Sequence, residues 1–226
     1  MNKVSVILPA AGSGSRFGAS ANKIFQPLAG VPIFLRTCSR FAARADVSQL
    51  LLIVSAEDTE RLQTEFAPQL AELGVQLVGG GPTRTDSVRN ALAKVDAEAD
   101  LVAVHDAVRP CVRSCDLDAV FAAAGRHGAA MLAWPEHATL KRVDADRIIR
   151  QTVDRSGLWQ AQTPQVFRRD WLVEAYRAAQ SSATDDAGLV EAIGHAVRIV
   201  QGDPRNLKIT TPADLEIAQA VWPTIQ

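Results

Sequence analysis

Long apolar runs are missing from this sequence. No stretch approaches the roughly 18 to 20 residues that a bilayer-crossing helix needs, and the N-terminus lacks a charged-then-apolar secretory pattern. The expected place of work is the cytoplasm, with no membrane partner. One-sided charge is missing as well: 24 Lys and Arg stand against 25 Asp and Glu, without basic runs, which argues against a nucleic-acid partner. Cysteine is scarce. Cys38, Cys111 and Cys115 are odd in number, as suits reduced thiols, and Cys111 and Cys115 have no second Cys or His pair at zinc spacing, so no structural metal is expected.

Two phosphate-binding signatures are also absent. A Walker A loop places Gly-Lys-Ser/Thr after a Gly and four residues, but that gap after Gly12 and Gly14 leads to Phe17 and Ala19. The dinucleotide fingerprint G-x-G-x-x-G is missed by one residue, since the glycines run Gly12-x-Gly14-x-x-x-Gly18. The acid expected at the tip of the second strand is replaced by Ser55, which disfavours an NAD-linked oxidoreductase.

What is there begins with a buried-strand pattern at residues 4–8, followed by LPAAGSGSRFGASANKIF at 8–25. Glycines let main-chain N–H groups turn into one concavity, and Arg16 and Lys23 add a planar fork and a point charge, a combination suited to a polyphosphate. Taken alone, the stretch also fits a plain strand-to-helix loop with incidental cations.

Apolar strands at 47–54, 75–78, 101–104 and 129–134 alternate with helical patterns from 31 through Phe41, at 57–73 (interrupted at Pro68), 84–95 and 116–126. This alternation predicts one α/β domain over 1–226, a doubly wound, mostly parallel Rossmann-like sheet whose ligands bind beyond the carboxyl ends of its strands. The loops 10–23, 79–87 and 105–109 fall on that edge. Residues 139–154 break the pattern and read as two strands around a polar turn, placing a protruding β-arm at 137–156. The arm either folds on its own sheet or reaches a second subunit. Helices at 170–180 and 185–193, strands at 197–200 and 207–209, and a helix opening at Thr211-Pro212 complete the chain.

The opening motif LPAAGSGSRFG with Lys23 and Phe25, together with HDAVRP, TVDRSGLWQAQTPQ and NLKITTPADL, resembles the sugar-nucleotide type nucleotidyltransferases, and more narrowly the 2-C-methyl-D-erythritol 4-phosphate cytidylyltransferase family of the non-mevalonate isoprenoid pathway. The likeness covers nearly the whole chain. One departure is Asn22, where such proteins commonly have Pro before the Lys.

The resemblance implies transfer of CMP from CTP to a sugar-alcohol phosphate with release of pyrophosphate. The attacking group is already an anionic phosphate oxygen, so positioning and charge neutralisation are needed and a base is not. Arg16 and Lys23 are then the catalytic cations, with main-chain N–H groups of Gly12, Ser13 and Gly14 around the triphosphate. Ala10, Ala11, Gly80, Gly81 and Ser87 are expected to select the base, with Ser87 donating to cytosine and Pro82 lacking an N–H. Asp106 is implied near the substrate hydroxyls or a Mg²⁺ ion, and Arg109 at the substrate phosphate. Thr139 and Lys208 match positions lining the acceptor pocket, while Arg155 and Thr163 match positions tied to an arm exchanged in a homodimer. His105, Asp185 and Asp186 read as structural. Ribitol-5-phosphate cytidylyltransferase and a nucleotide-binding module without turnover are the rival readings.

Overall fold

A computed structural model describes residues 2–12, 17, 22–179 and 183–225. The first strand, β1 (Val4–Pro9), shows why its residues are almost continuously apolar: successive side chains alternate faces and both faces are covered. Val4, Val6 and Leu8 face one core layer and Ile7 the other. On that second face, the buried Ser5 hydroxyl donates to Gln49 Oε1 at 2.9 Å.

A two-residue ladder, β2 (Pro27–Leu28) with β3 (Val31–Pro32), precedes α1 (Ile33–Ala42). The helix starts after Pro32 and not at Val31, because Pro32 keeps an extended ψ of 139° as N-cap. Next come β4 (Val47–Val54), α2 (Ala56–Glu65), α3 (Ala67–Glu72), β5 (Val75–Gly79), α4 (Arg84–Leu92) and β6 (Leu101–Val104). The expected break at Pro68 is the junction of α2 and α3, with Pro68 in the first turn of α3, where its missing N–H costs nothing. Then follow α5 (Ser114–His127), closed by the left-handed Gly128 at φ 85°, and β7 (Ala129–Pro135).

Two differences from the sequence reading follow. The segment between the arm and the next helix is a long strand, β10 (Trp159–Arg168), antiparallel to β6 on one side and β7 on the other. Its Pro164 falls within the register irregularity between Ala161 and Gln165, where a missing N–H is tolerated. Conversely, 207–209 is not a strand. Ile209 N–H bonds Val108 O, but the Asn206 carbonyl is taken by Arg109, and the Thr210 and Thr211 N–H groups by Asp214, leaving no ladder to extend.

The chain ends through α6 (Arg169–Ala178), α7 (Asp186–Ala192), β11 (Arg198–Gln201) and α8 (Pro212–Val221). Among the described residues, seven strands form one sheet in the order β11-β7-β10-β6-β1-β4-β5, parallel at every step except around β10. Helices α1, α5 and α8 pack on one face, and α4, α6 and α7 on the other. Among the described residues the strands β8 (Leu140–Val143) and β9 (Ile149–Val153) pair only with each other, and Val143, Ile148 and Ile149 there are 48%, 54% and 59% exposed. Among the described residues, no helix is long and apolar enough to cross a membrane.

Candidate active site

Where β1, β4, β5 and β6 end, their last main-chain bonds hold the loops that follow. Ala10 N–H reaches Ile53 O at 2.8 Å, Gly80 N–H reaches Val54 O at 2.8 Å, and His105 N–H reaches Ile7 O at 2.9 Å. Between these loops opens a cleft of about 480 Å³. Ala10, Ala11 and Gly12 form one wall, and Gly81, Pro82, Arg84 and Ser87 a second, with Lys23, Asp106 and Lys208 completing it. Ser13, Gly14 and Arg16 lie outside the described residues.

The glycine wall is tight. A side chain on Gly80 would put its Cβ 2.8 Å from Ala11 Cβ, and one on Gly81 would meet Asp86 Cβ at 2.6 Å. Both positions therefore exclude a side chain on packing grounds. Ser87 is committed inside this wall: its hydroxyl donates to Thr83 O at 2.9 Å and accepts from Gly81 N–H at 2.9 Å. The hydroxyl thus bridges the first turn of α4 and the glycine wall.

Lys23 opens a short 3₁₀ turn, Lys23–Phe25, capped by Asn22. On the other side, Asp106 follows β6. Its Oδ2 is 3.0 Å from Lys208 Nζ and 3.2 Å from Arg109 Nε. Burial opposes the charge of Asp106, yet the Lys208 ammonium and Arg109 guanidinium outweigh it and hold the carboxyl down at about 2. Arg109 is turned inward, donating also from Nη1 to Asn206 O at 2.7 Å.

Thr163 supports Asp106 from beneath. Asp106 N–H donates to Thr163 Oγ1 at 3.1 Å, and Thr163 Oγ1 lies 3.0 Å from His105 Nδ1. His105 Nε2 lies 3.0 Å from Arg109 O, which can only accept, so that nitrogen carries the proton and Nδ1 accepts from Thr163. Burial pushes His105 down from its ordinary 6.5 to about 4, keeping it neutral and structural.

This has a pH consequence. As pH falls from 6.5 toward 4, the unfolded chain binds a proton at His105 that the folded chain refuses, so stability is lost across that window and is untouched above it. His105→Gln is expected to remove up to about 3 kcal/mol of that loss, seen as a flatter profile of urea midpoint against pH. Parallel profiles for the two proteins would show that the imidazole titrates normally.

Two residues of this site escaped the sequence reading. Arg84 lines the cleft and is held by the fully buried Asp186, with Nη1 at 3.1 Å and Nη2 at 2.6 Å from its carboxylate oxygens, while the Tyr176 hydroxyl bonds the same carboxylate. Burial works against the Arg84 charge, but Asp186 keeps the guanidinium firmly protonated. The separation of 102 positions between the partners left only the position of Arg84, inside the 79–87 loop, as a signal. Asn206 is the second: fully buried, it ties Arg109 to Thr163 O through its own carbonyl and its Nδ2 at 2.8 Å. It opens the NLKITTPADL motif, which was the available clue. Asp185 is the N-cap of α7, accepting from Gly188 N–H.

Thr139 and Arg155 are not brought to this cleft. Both are exposed on or beside the arm, and Arg155 bonds the His137 carbonyl. The buried Cys38 and Cys111, pushed up to about 12 and about 11 by burial, are no nucleophiles.

Comparison with known proteins gives the family of the chain. The family model described as IspD, 2-C-methyl-D-erythritol 4-phosphate cytidylyltransferase, matches residues 4–223. The enzyme of that name from Rhodopirellula baltica is 47% identical over 96% of this chain and 94% of its own length. The one from Symbiobacterium thermophilum is 43% identical over 96% and 91%. The crystal structure of the cytidylyltransferase from Thermus thermophilus superposes with a TM-score of 0.79 at 32% identity, covering 97% of this chain and 98% of that one. The chain belongs to the 2-C-methyl-D-erythritol 4-phosphate cytidylyltransferase family.

Proposed function

We propose that this single domain transfers the cytidylyl group of CTP to 2-C-methyl-D-erythritol 4-phosphate, a step of isoprenoid precursor synthesis. The observation that carries the reading is the cleft itself: a glycine-walled slot at the carboxyl edge of the sheet with Lys23 and Lys208 in its lining and one ionised carboxylate, Asp106, between cations. An acceptor phosphate oxygen attacks the α-phosphorus of CTP as the bond to the bridging β-phosphate oxygen breaks, and pyrophosphate leaves with that oxygen. No proton need be moved at the nucleophile, in keeping with a neutral, buried His105.

Lys23, with Arg16, neutralises the triphosphate and the charge gathering at the α-phosphate. Main-chain groups at Ala10, Ala11, Gly80 and Gly81 read the base, with Ser87 shaping the slot from the start of α4. Lys208, held by Asp106, takes the acceptor phosphate, with Arg109 bracing Asp106 behind the lining. Among the described residues, no three His, Cys, Asp or Glu side chains form a ready metal site. One carboxylate beside phosphate oxygens is nonetheless a donor set that Mg²⁺ uses, so the chain fits Mg²⁺ arriving with the nucleotide and held by Asp106. When bound, such an ion supplies Lewis-acid neutralisation of the phosphates.

The arm serves a second copy of the chain. Its apolar Val143, Ile148 and Ile149 are uncovered, a lone two-stranded ribbon is marginal in water, and Thr139 and Arg155 lie outside their own cleft. The reaction belongs in the cytoplasm, since both substrates are multiply charged phosphates that do not cross a bilayer unaided.

Pyrophosphate release on mixing CTP with each of two acceptors tests the reading. Turnover is expected with 2-C-methyl-D-erythritol 4-phosphate, giving its 4-diphosphocytidyl product. Turnover with ribitol 5-phosphate alone, or with neither, overturns it.

A further inference from the structure

The turn that carries Lys23 is fastened at both ends, by different means. On its C-terminal side the anchor is packing. Ile24 is 1% exposed, and Phe25 lies 5.8 Å from each of the Phe34 and Phe66 rings, which are themselves 5.3 Å apart. On its N-terminal side, among the described residues, the anchor is the polar side chain of Asn22. Asn22 Oδ1 accepts from Ile24 N–H at 3.3 Å, and Asn22 Nδ2 donates to Asp58 Oδ2 at 2.8 Å. Asp58 is itself pinned to the end of β4. The same Oδ2 accepts from Ser55 Oγ at 2.7 Å, and Asp58 N–H donates back to that hydroxyl at 3.1 Å.

We propose that Asn22, clamped by Asp58, is a positioning residue that sets the Lys23 ammonium against the nucleotide phosphates. The inference rests on the cytidylyl-transfer reading. The carboxamide of Asn22 does both jobs at once from two atoms of one plane, its oxygen accepting from the turn and its nitrogen donating to the carboxylate. Alanine at this position does neither. An aspartate keeps the cap but sets a second carboxylate against Asp58. A lysine on a flexible four-carbon stem delivers its charge reproducibly only if its own main chain is fixed, and an error of about 1 Å at such a group costs up to roughly 10²-fold in rate.

The test uses the full-length chain with Asn22→Ala, Asn22→Asp and the exchanged pair Asn22→Asp/Asp58→Asn. In the exchanged pair the donor moves to residue 58 and the acceptor to residue 22, so the same bond forms in reverse. Asn22→Ala and Asn22→Asp are expected to lose roughly 10- to 100-fold in kcat with little change in melting temperature, and the exchanged pair to recover to within about threefold of the wild type. Mass-spectrometric acylation of lysines gives a readout without turnover: CTP is expected to shield Lys23 in the wild type and the exchanged pair, and poorly in the single variants. Wild-type kcat in Asn22→Asp, an exchanged pair as slow as Asn22→Asp, or equal shielding in all four proteins overturns the inference. A wild type that makes no product overturns the cytidylyl-transfer reading instead, and the shielding pattern then decides the role of Asn22 by itself.

Discussion

Lys23→Ala is expected to cut kcat/KM by roughly 10²- to 10³-fold, about 3 to 4 kcal/mol of transition-state stabilisation, while the protein melts close to the wild-type temperature. The two halves of that expectation have separate causes. The turn around Lys23 is made by main-chain bonds, Phe25 N–H to Asn22 O at 3.1 Å and Gln26 N–H to Lys23 O at 3.1 Å, and by the buried Ile24, none of which uses the ammonium. The Lys23 charge adds only the least of the effects that keep Asp214 low, after burial, which opposes them, and the hydrogen bonds from Thr210 and Thr211. The bonds that shape the turn survive loss of the ammonium, so the fold is expected to hold. The chemistry has no such substitute, because charge on the α-phosphate and leaving pyrophosphate grows as the transition state forms. The larger part of the loss is accordingly expected in kcat, with a smaller rise in KM for CTP. Steady-state kinetics with CTP varied, beside a thermal melt, check both halves. Near-normal kcat would remove Lys23 from the reaction.

How much of this was readable beforehand follows from the range over which each interaction acts. The buried strands announced themselves because both sheet faces are covered, which writes continuous apolar runs such as 47–54 into the chain. The edge on which HDAVRP and the glycine loops meet followed from the parallel order of those strands. Strand β10 did not, since Gln160, Gln162, Thr163, Pro164 and Gln165 look like a loop until Gln162, Thr163 and Gln165 are seen to spend their polar groups on Asp203, Asp106, His105 and α7. Side-chain orientation was equally out of reach. Arg109 reads as a phosphate ligand by its place after a strand end, and only the three-dimensional partners Asp106 and Asn206 show how deeply it is engaged. Arg84 was hidden because its partner Asp186 comes from the other end of the fold.

A mixture of two dead proteins is expected to come alive. Arg155→Ala and Lys23→Ala chains, each inactive alone, should together recover about a quarter of wild-type activity when co-expressed in equal amounts. The reasoning starts from distance: Arg155 is exposed beside the arm, bonded to the His137 carbonyl, and is absent from the lining of its own cleft. If arms are exchanged, each cleft takes Lys23 from one chain and Arg155 from the other. In a mixed dimer the Arg155→Ala chain keeps a complete Lys23 cleft and receives an intact arm, while the opposite cleft carries both defects. Random pairing makes about half of the dimers mixed, each with one working site of two, which gives the quarter. Pyrophosphate release from the co-purified mixture, compared with each parent, measures it. Should Arg155 serve the cleft of its own chain, no combination of these two chains ever unites both residues, and the mixture stays as inactive as its parents.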